Sequence, residues 1–323
     1  MSNWDDLQHL GRQLATAVLG QDELIEGILL GLLADGHLLV EGLPGLAKTR
    51  AIKSLSHYLD ASFSRLQFTP DLLPSDITGA EQYYGELGHG GLRFRQSPIF
   101  ANLVLADEIN RAPAKVQAAL LEAMEERQVT VAGERHPLPE VFLVMATQNP
   151  IEHEGTYTLP EAQLDRFLLH LKVDYPDAAA EQAMLRLVRE ERYRAKSDRT
   201  EPAKLAKSVL LEARQEIGQI HVSDSIERYI LDLVRATRHP ERYDAALARQ
   251  IEWGISPRGS LGLEQVARAK AWLRGGDFVT PDDVRAVALR VLRHRIGLSY
   301  EAQAKGVNAD DILNRLLQLV AVA

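Results

Sequence analysis

The chain has 323 residues, of which 46% are hydrophobic and 25% are charged. This composition is typical of folded globular proteins and excludes collagen-like or wholly disordered chains, while the length predicts two domains rather than one. The absence of cysteine excludes disulfide scaffolds, thiolate zinc sites, iron–sulfur clusters and cysteine nucleophiles, and a net charge of −8 argues against nucleic-acid binding by bulk electrostatics.

The charge is divided unevenly along the chain. Residues 1–175 contain 13 Lys and Arg against 24 Asp and Glu, a balance of −11, whereas residues 176–323 contain 24 against 21, a balance of +3. We therefore predict one domain over residues 1–175 and a second over residues 176–323.

The chain begins with polar and acidic residues, unlike a signal peptide, and its apolar residues 27–34 are too few to span a bilayer. We expect a soluble, cytoplasmic protein without membrane insertion.

The first domain alternates helical and strand-like segments. Apolar residues recur at helical spacing in residues 22–34, and residues 114–127 are rich in strong helix formers. Short unbroken apolar runs lie at residues 38–40, 103–106 and 141–146. Such runs are typical of strands that are buried on both faces of a parallel sheet. The alternation predicts a three-layer α/β/α sandwich with a parallel sheet.

Two segments interrupt this alternation. Residues 79–98 are rich in Gly and Tyr, and residues 128–138 contain an alternating stretch followed by Ala132 and Gly133. Each is compatible with a surface hairpin. The residue pair Tyr83 and Tyr84 in the first segment is compatible either with aromatic side chains that line a pore or with ordinary packing.

The second domain is predicted to be all-helical. Thr280, Pro281 and the acids that follow them form a helix start signal, with a capping hydroxyl, a proline in the first turn and negative charge at the positive end of the dipole. Helical patterns cover residues 178–194, 205–217, 225–237, 260–273, 281–293 and 309–320. The arginines at 285–295 alternate with apolar residues, which favours an amphipathic helix over a nucleic-acid patch.

A glycine-containing loop follows the first predicted strand and precedes a helix-compatible segment, the context that a phosphate-binding P-loop requires. Glycine lets backbone N–H groups turn toward phosphate oxygens, Lys48 would reach the β- and γ-phosphates, and Thr49 would hold Mg²⁺. Ala47 departs from the usual pattern, which has Gly before the Lys. The candidate phosphate-binding residues are Gly42, Leu43, Pro44, Gly45, Leu46, Ala47, Lys48 and Thr49.

Two further predicted strands end in residues that suit phosphoryl transfer. The run 103–106 is followed by Asp107, which would orient Mg²⁺, and by Glu108, which would polarise the attacking water. The run 141–146 leads to Asn149, our candidate for holding that water against the γ-phosphate. Taken singly, the acidic pair is equally compatible with a loop start, and Asn before Pro with an ordinary turn.

Taken together, these motifs resemble the MoxR family of AAA+ ATPases. The resemblance covers most of residues 10–175 and continues weakly into residues 254–260. It is specific, because it includes long runs at residues 120–129 and 159–167. The family typically carries Ala before the P-loop Lys, which accounts for Ala47. The other matching segments are residues 42–49, 107–113, 117–130, 146–151 and 155–167.

The resemblance implies roles for individual residues. Arg166 is similar to the arginine finger, which in such proteins serves the nucleotide of the neighbouring subunit, and Arg258 is similar to the second sensor, which reaches from the helical lid. From the residues alone, a surface ion pair is the more ordinary interpretation of Arg166. Gly20 and Gln21 are similar to the segment that approaches adenine. The remaining matches are Lys48 and Thr49 to the Walker A pair, Asp107 and Glu108 to the Walker B pair, and Asn149 to the first sensor.

The two interrupting segments also have counterparts in the family. Residues 79–98 would be the helix-2 insert, and residues 128–138 would be the pre-sensor-1 hairpin. The resemblance further implies ATP and Mg²⁺ as cofactors, with Thr49 and Asp107 on the metal side, and a homo-oligomer, expected to be a hexameric ring. Its implied role is the chaperone-like remodelling of a protein client or metal-cofactor insertion, often with a von Willebrand factor A-domain partner.

Three other functions stay open from the sequence. The motor subunit of a metal chelatase shares the same inserts, and a nucleic-acid motor or loader shares the ATPase motifs, although the acidic first domain disfavours it. A nucleotide-binding scaffold without turnover is disfavoured by Glu108. In the favoured interpretation, ATP bridges two subunits through Arg166, and hydrolysis shifts the lid against the α/β core.

Overall fold

The computed structural model describes residues 2–43, 45, 48–84, 91–149, 156–193 and 203–322. Within those residues, no helix is both long and apolar enough to cross a membrane.

The chain begins with two helices and then alternates strands and helices. Ser2 caps the first helix, and its side chain and that of Asp5 form a reciprocal capping box. The elements up to residue 193 are α1 (Asn3–Ala17), α2 (Asp22–Leu33), β1 (Leu38–Gly42), α3 (Lys48–Tyr58), β2 (Phe63–Gln67), α4 (Pro74–Thr78), β3 (Ala80–Tyr84), β4 (Gly91–Arg95), β5 (Leu103–Asp107), α5 (Ala114–Glu126), β6 (Gln128–Val131), β7 (Glu134–Pro137), β8 (Leu143–Gln148), α6 (Glu161–Leu164), β9 (Leu169–Val173) and α7 (Ala178–Tyr193).

The central sheet has five parallel strands in the order β2-β5-β8-β1-β9. The apolar runs predicted as strands are its three inner strands, β1, β5 and β8, and the α/β prediction is confirmed. Because all five strands run in the same direction, their carboxyl ends meet at one edge of the sheet. Gly42 at the end of β1, the candidate acids Asp107 and Glu108 at the end of β5 and Asn149 after β8 lie at that edge.

Alternate residues of the inner strands pack into two separate cores. Leu38 and Val40 face one core, together with α1, α2 and the helices of the C-terminal part. Leu39 and Val104 face the other core, which α5 covers. This two-sided burial explains the unbroken apolar runs at residues 38–40 of β1, 103–106 of β5 and 143–146 of β8.

The C-terminal part is helical, as predicted, and it also contains a short two-stranded antiparallel ribbon, β10 with β11. Thr280 caps α12 as the sequence indicates, and the Asp283 side chain closes the capping box. The elements are α8 (Lys207–Gly218), α9 (Asp224–Arg238), α10 (Ala245–Gln250), β10 (Ile251–Trp253), α11 (Pro257–Leu273), α12 (Pro281–Leu292), β11 (Gly297–Leu298), α13 (Tyr300–Ala304) and α14 (Ala309–Leu319).

The lid helices share a hydrophobic core with the α/β domain. Val266 and Val291, of α11 and α12, belong to the same buried cluster as Leu30 of α2 and Leu169 of β9. The predicted boundary between residues 175 and 176 lies in the connection from β9 to α7. The chain changes from sheet to helix there, and the apolar core is continuous between the two parts.

Both interrupting segments contain hairpins. In the first, β3 pairs antiparallel with β4, and Tyr83 lies opposite Leu92. The second pairs β6 with β7 around a tight turn in which Ala132 and Gly133 both have positive φ. This is the geometry that a two-residue hairpin turn requires.

Candidate active site

The phosphate-binding segment connects β1 to α3. β1 ends at Gly42, and α3 begins at Lys48, whose ammonium group donates a hydrogen bond to the Gly42 carbonyl. Gly45 has a φ of +84° and is exposed, the backbone conformation that favours glycine. Leu43 follows β1 directly. Pro44, Leu46 and Ala47, three of the predicted phosphate-binding residues, lie outside the described part of the chain.

The tips of β5 and β8 are joined by the buried side chain of Thr147. Its hydroxyl donates to Asp107 Oδ1 at 2.7 Å and accepts from the Glu108 backbone N–H at 2.9 Å. Glu108 has a left-handed backbone, with φ of 56° and ψ of 51°, which is uncommon for a residue other than glycine. The hydrogen bond from the Glu108 N–H to Thr147 therefore holds this uncommon backbone conformation in place.

Basic and amide side chains hold the two carboxylates. Arg65 of β2 donates to Asp107 Oδ2 through Nη2 at 2.5 Å and through Nε at 3.1 Å. Gln67, at the end of the same strand, donates to Glu108 Oε2 at 2.8 Å, and Arg111 Nε lies 3.2 Å from that oxygen. Arg65 and Gln67 were not predicted from the sequence. Both alternate with the buried Leu66, and this pattern of a half-buried strand beside β5 is the signal that could have found them.

Arg65, Asp107 and Glu108 line a cavity of about 430 Å³ at the carboxyl edge of the sheet. The described lining of the cavity brings together six predicted site residues, namely Gly45, Lys48, Thr49, Asp107, Glu108 and the buried Asn149, which follows β8. Its remaining wall comes from Arg50, Arg65, Thr147, Gln148 and two side chains of α7, Met184 and Val188.

The lining fits a nucleoside triphosphate with a hard divalent cation. Lys48 supplies a positive charge where α3 begins, so the ammonium group and the helix dipole both favour phosphate at this position. Thr49 and Asp107 supply hydroxyl and carboxylate oxygens, the ligands that Mg²⁺ prefers. Arg65 balances the charge of Asp107 in the structure described here.

Gly20 and Gln21 lie beside the start of α7. Gly20 has a φ of +71°, and a Cβ atom there would lie 2.5 Å from the Ala180 Cβ, so only glycine fits. The buried Gln21 donates from Nε2 to the Asp174 carbonyl at 2.9 Å. Neither residue is among the described residues that line the cavity, and their approach to adenine stays a prediction.

Arg166 and Arg258 share one carboxylate outside the cavity. Arg166 Nη2 lies 2.9 Å from Glu125 Oε2, and Arg258 Nη2 pairs with Glu125 Oε1. Arg258 Nη1 also lies 3.9 Å from Asp165 Oδ2. Among the described residues that line the nucleotide cavity of this chain, neither arginine is present. The role of Arg258 as second sensor therefore stays a prediction, and both arginines bind Glu125 in this structure.

Comparison with known proteins assigns the family. Residues 37–169 match the family described as "ATPase family associated with various cellular activities (AAA)", and residues 244–316 match the family described as "AAA lid domain". Chaperone MoxR1 of Mycobacterium tuberculosis is 45% identical over 307 residues, which are 94% of this chain and 79% of that protein. The chain belongs to the MoxR family of AAA+ ATPases.

Other relatives extend over nearly the same length. Protein MoxR of Paracoccus denitrificans is 35% identical over 300 residues, covering 87% of this chain and 86% of the relative. A crystal structure of a protein described as an ATPase from Cytophaga hutchinsonii superposes with a TM-score of 0.89 at 41% identity, covering 99% of this chain and 96% of the other. The AAA domain and the helical lid of this MoxR-family chain thus share their fold with a solved structure.

Proposed function

We propose that this MoxR-family protein hydrolyses Mg²⁺-ATP in the cavity at the carboxyl edge of the sheet. The observation that carries the proposal is the convergence on one cavity of Lys48, Thr49, Asp107, Glu108 and Asn149, which come from three separate places in the sequence. An ammonium group, a carboxylate that can polarise water and an amide beside it are the components that phosphoryl transfer uses.

Each of these five residues has a distinct role in this proposal. Lys48 binds the β- and γ-phosphates, and Thr49 and Asp107 hold the metal. Bound Mg²⁺ would neutralise phosphate charge during the reaction. Glu108 polarises the attacking water, and Asn149 orients it toward the γ-phosphate. Since Arg65 pairs with Asp107 and Gln67 with Glu108 in the structure, both carboxylates exchange these partners when substrate binds.

The substitution Glu108→Gln tests the assignment of the water-polarising residue. The amide keeps the size of the side chain and cannot accept a proton from water, so ATP should bind with near wild-type affinity while hydrolysis falls by about 100-fold or more. Titration with a fluorescent ATP analogue and a phosphate-release assay measure the two properties separately. Loss of nucleotide affinity in this variant would mean that Glu108 is structural.

We further propose that the protein forms a ring, with a hexamer as the expected size, in which Arg166 and Arg258 act on the ATP of the neighbouring subunit. Support comes from their common position on Glu125, outside the cavity of their own chain. A guanidinium stays charged and can bridge two phosphate oxygens. Specific ATPase activity should therefore fall on dilution through ring dissociation, monitored by light scattering. Constant specific activity across that transition would refute the proposal.

The energy of hydrolysis is proposed to remodel a protein client or to assist metal-cofactor insertion, with a von Willebrand factor A-domain protein as the expected partner. The β3–β4 hairpin supports contact with a polypeptide, because Tyr83 and Leu92 lie opposite each other and are 58% and 63% exposed. The Glu108→Gln variant should retain a client in the presence of ATP, and adding Tyr83→Ala should release it. Capture that does not respond to Tyr83→Ala would exclude this contact surface.

Stimulation assays separate this function from the alternatives. The ATPase rate should rise with a protein client and stay constant with DNA, because the first domain carries a net charge of −11. Porphyrin-dependent stimulation with chelatase partners would instead identify a chelatase motor. A DNA-stimulated rate would identify a nucleic-acid motor.

A further inference from the structure

We propose that Arg295 is a positioning residue for the arginines that act on the neighbouring subunit. It lies after α12, at the inner side of the lid, and it orders both chain segments that carry Arg166 and Arg258. This inference rests on the proposed function, since it concerns the face of the subunit that would meet the next ATP. It adds a residue from the lid that does not itself touch the nucleotide.

The guanidinium of Arg295 binds the backbone on both sides of Arg166. Its side chain is only 3% exposed. Nη2 donates to the carbonyls of Asp165 at 3.2 Å and Phe167 at 2.6 Å, and Nη1 donates to the carbonyl of Leu168 at 3.3 Å. Arg166 is the residue between these carbonyls. The buried guanidinium therefore fixes the turn from which the Arg166 side chain projects outward.

The carboxylate of Asp165 connects this turn to the second arginine. Asp165 Oδ1 accepts from Arg295 Nε at 2.9 Å, and its Oδ2 accepts from the Ser256 hydroxyl at 2.9 Å. Ser256 is the N-cap of α11, and its hydroxyl also accepts from the backbone N–H of Arg258. One carboxylate thus holds the start of α11, with Arg258, against the turn that carries Arg166.

Arg295 is charged in this buried position. Burial lowers its pKa from 12.5 to about 10, so the guanidinium remains protonated at neutral pH. A buried charge is stable only when it is paired and hydrogen-bonded, and the acceptors of Arg295 include a carboxylate and several carbonyls. The planar fork of donors suits this set of acceptors, which a lysine could satisfy only in part.

An arginine of the adjoining lid helix α12 provides a matched control. Arg290 pairs through Nη1 with Glu26 of α2 at 2.6 Å, and its side chain is 14% exposed. It joins the lid to the core as Arg295 does, but its partner lies away from Arg166. A role in holding the lid alone predicts similar effects for substitution of either arginine, whereas a positioning role predicts a loss of turnover at Arg295 only.

The first experiment compares Arg295→Met with Arg290→Met. We expect Arg295→Met to lower kcat by about 10- to 100-fold, because a displacement of about 1 Å in a reacting arrangement has that effect. ATP binding by the subunit should stay within about 2-fold of wild type, since the cavity of the same chain is intact. Arg290→Met should retain turnover, and Arg295→Lys should fall between Arg295→Met and wild type. Wild-type kcat in Arg295→Met would overturn the proposal.

Mixed rings then show which subunit the residue serves. The Glu108→Gln subunit has an inactive cavity but intact arginines. The Arg295→Met subunit has an intact cavity but displaced arginines. Each variant alone should retain about a tenth of the wild-type rate or less, whereas a one-to-one mixture should recover about one quarter of that rate, because half of the cavities are intact and half of their neighbours supply arginines. A mixture of Glu108→Gln with Arg166→Ala provides the reference.

The outcomes separate the two proposals. Recovery in both mixtures supports the role of Arg295. Recovery with Arg166→Ala but not with Arg295→Met shows that Arg295 affects only its own subunit and overturns the inference. Failure of both mixtures, with subunit exchange verified by labelled chains, refutes the action of arginines between subunits. If Arg295→Met does not fold, the near-isosteric Asp165→Asn variant replaces it in the kinetic comparison and in the mixed rings, because Asp165 is the carboxylate that Arg295 binds. Wild-type kcat in that variant would likewise overturn the proposal.

Discussion

The single hydroxyl of Thr147 determines the relative position of the two acids at the active-site edge. It is buried, and it joins the carboxylate of Asp107 to the backbone of Glu108. Asp107 and Glu108 are adjacent in sequence, yet their carboxylates have different partners, Arg65 for Asp107 and Gln67 for Glu108. This separation suits the proposed division of metal binding and water activation between the two residues.

Replacing Thr147 with Val tests these contacts, because valine keeps the volume of the side chain but lacks the hydroxyl. The variant removes both hydrogen bonds, and we expect kcat to fall by about 10- to 100-fold with little change in ATP affinity. The unsatisfied N–H of Glu108 should also lower the free energy of unfolding by about 1–3 kcal/mol. Steady-state kinetics and urea unfolding measure the two effects. Thr147→Ser keeps the hydroxyl and should stay close to wild type, and an unchanged kcat in Thr147→Val would contradict this role.

A buried histidine outside the active site makes stability depend on pH. His37 donates from Nε2 to the Met124 carbonyl at 3.2 Å and accepts at Nδ1 from the Val144 N–H at 3.1 Å. These contacts fit the neutral ring. Burial, with a smaller contribution from the nearby charge of Arg127, lowers the pKa of His37 to about 3. Protonation would also break the hydrogen bond from Val144.

The unfolded chain binds a proton at His37 below its ordinary pKa of about 6.5, whereas the folded chain stays neutral down to a pH of about 3. The contribution of His37 to stability therefore falls as the pH is lowered through this range. We expect it to be about 2 kcal/mol smaller at pH 5 than at pH 7. Urea unfolding at both pH values should show this difference reduced in His37→Gln, which keeps a donor and an acceptor. An equal pH dependence in both proteins would contradict the assignment.

The residues of the P-loop and of the strand ends were predictable because their chemistry depends on short spacings. Lys48 and Thr49 follow a glycine loop, and Asp107 with Glu108 follows an apolar run. The contacts of Arg166 and Arg258 were not predictable in this way. Both meet Glu125, a residue far from each of them in sequence, and only the folded chain brings the three together.

At the scale of elements, the sequence predicted the buried strands better than the outer ones. The inner strands are apolar at successive positions, whereas β2 contains Ser64, Arg65 and Gln67 and lies at one edge of the sheet. At the other edge, β9 carries His170 and Lys172. Edge strands expose one side, so they lack the continuous apolar pattern on which the prediction depended. Both edge strands were missed for this reason.

The helix α7 forms one wall of the nucleotide cavity although each of its residues is half-buried or exposed. Met184 and Val188 line the cavity, and Glu191 Oε1 pairs with Arg50 Nη2 at 2.5 Å. An exposed ion pair of this kind contributes at most about 1 kcal/mol. With few buried apolar contacts, α7 is expected to open locally more readily than the helices of the core.

Nucleotide binding should therefore stabilise α7. At an ATP concentration of about 100 times Kd, amide exchange in this helix should slow by up to about 100-fold in the Glu108→Gln variant. Hydrogen exchange followed by mass spectrometry measures the change peptide by peptide. The helix α14 does not line the cavity within the described residues and serves as the internal control. Equal exchange of α7 with and without ATP would show that the helix does not contact the nucleotide.

At the scale of the whole molecule, the continuous core should make the α/β domain and the lid unfold together. Leu168 connects them, since its side chain packs in the shared cluster and a Cβ atom added at Gly262 of α11 would lie only 3.2 Å from Leu168 Cδ1. Leu168→Ala should lower the free energy of unfolding by about 2–5 kcal/mol. It should lower the protection of amides in β1 and α12 equally, as measured by hydrogen exchange in low urea. Loss of protection in α12 alone would show that the lid unfolds independently.

The same apolar cluster indicates which motion the subunits of the proposed ring can make. A swing of the lid on its own sheet would expose buried Leu, Ile and Val side chains at a cost of about 25 cal/mol for each Å². Rotation of one whole subunit against the next, at the interface where ATP would meet the arginines of the neighbouring chain, would leave this cluster buried and would not have that cost. The lid and the sheet of one protomer would then move as a single body, which argues against the shift of the lid on the α/β core that the sequence suggested, and the conformational change on hydrolysis would occur between subunits.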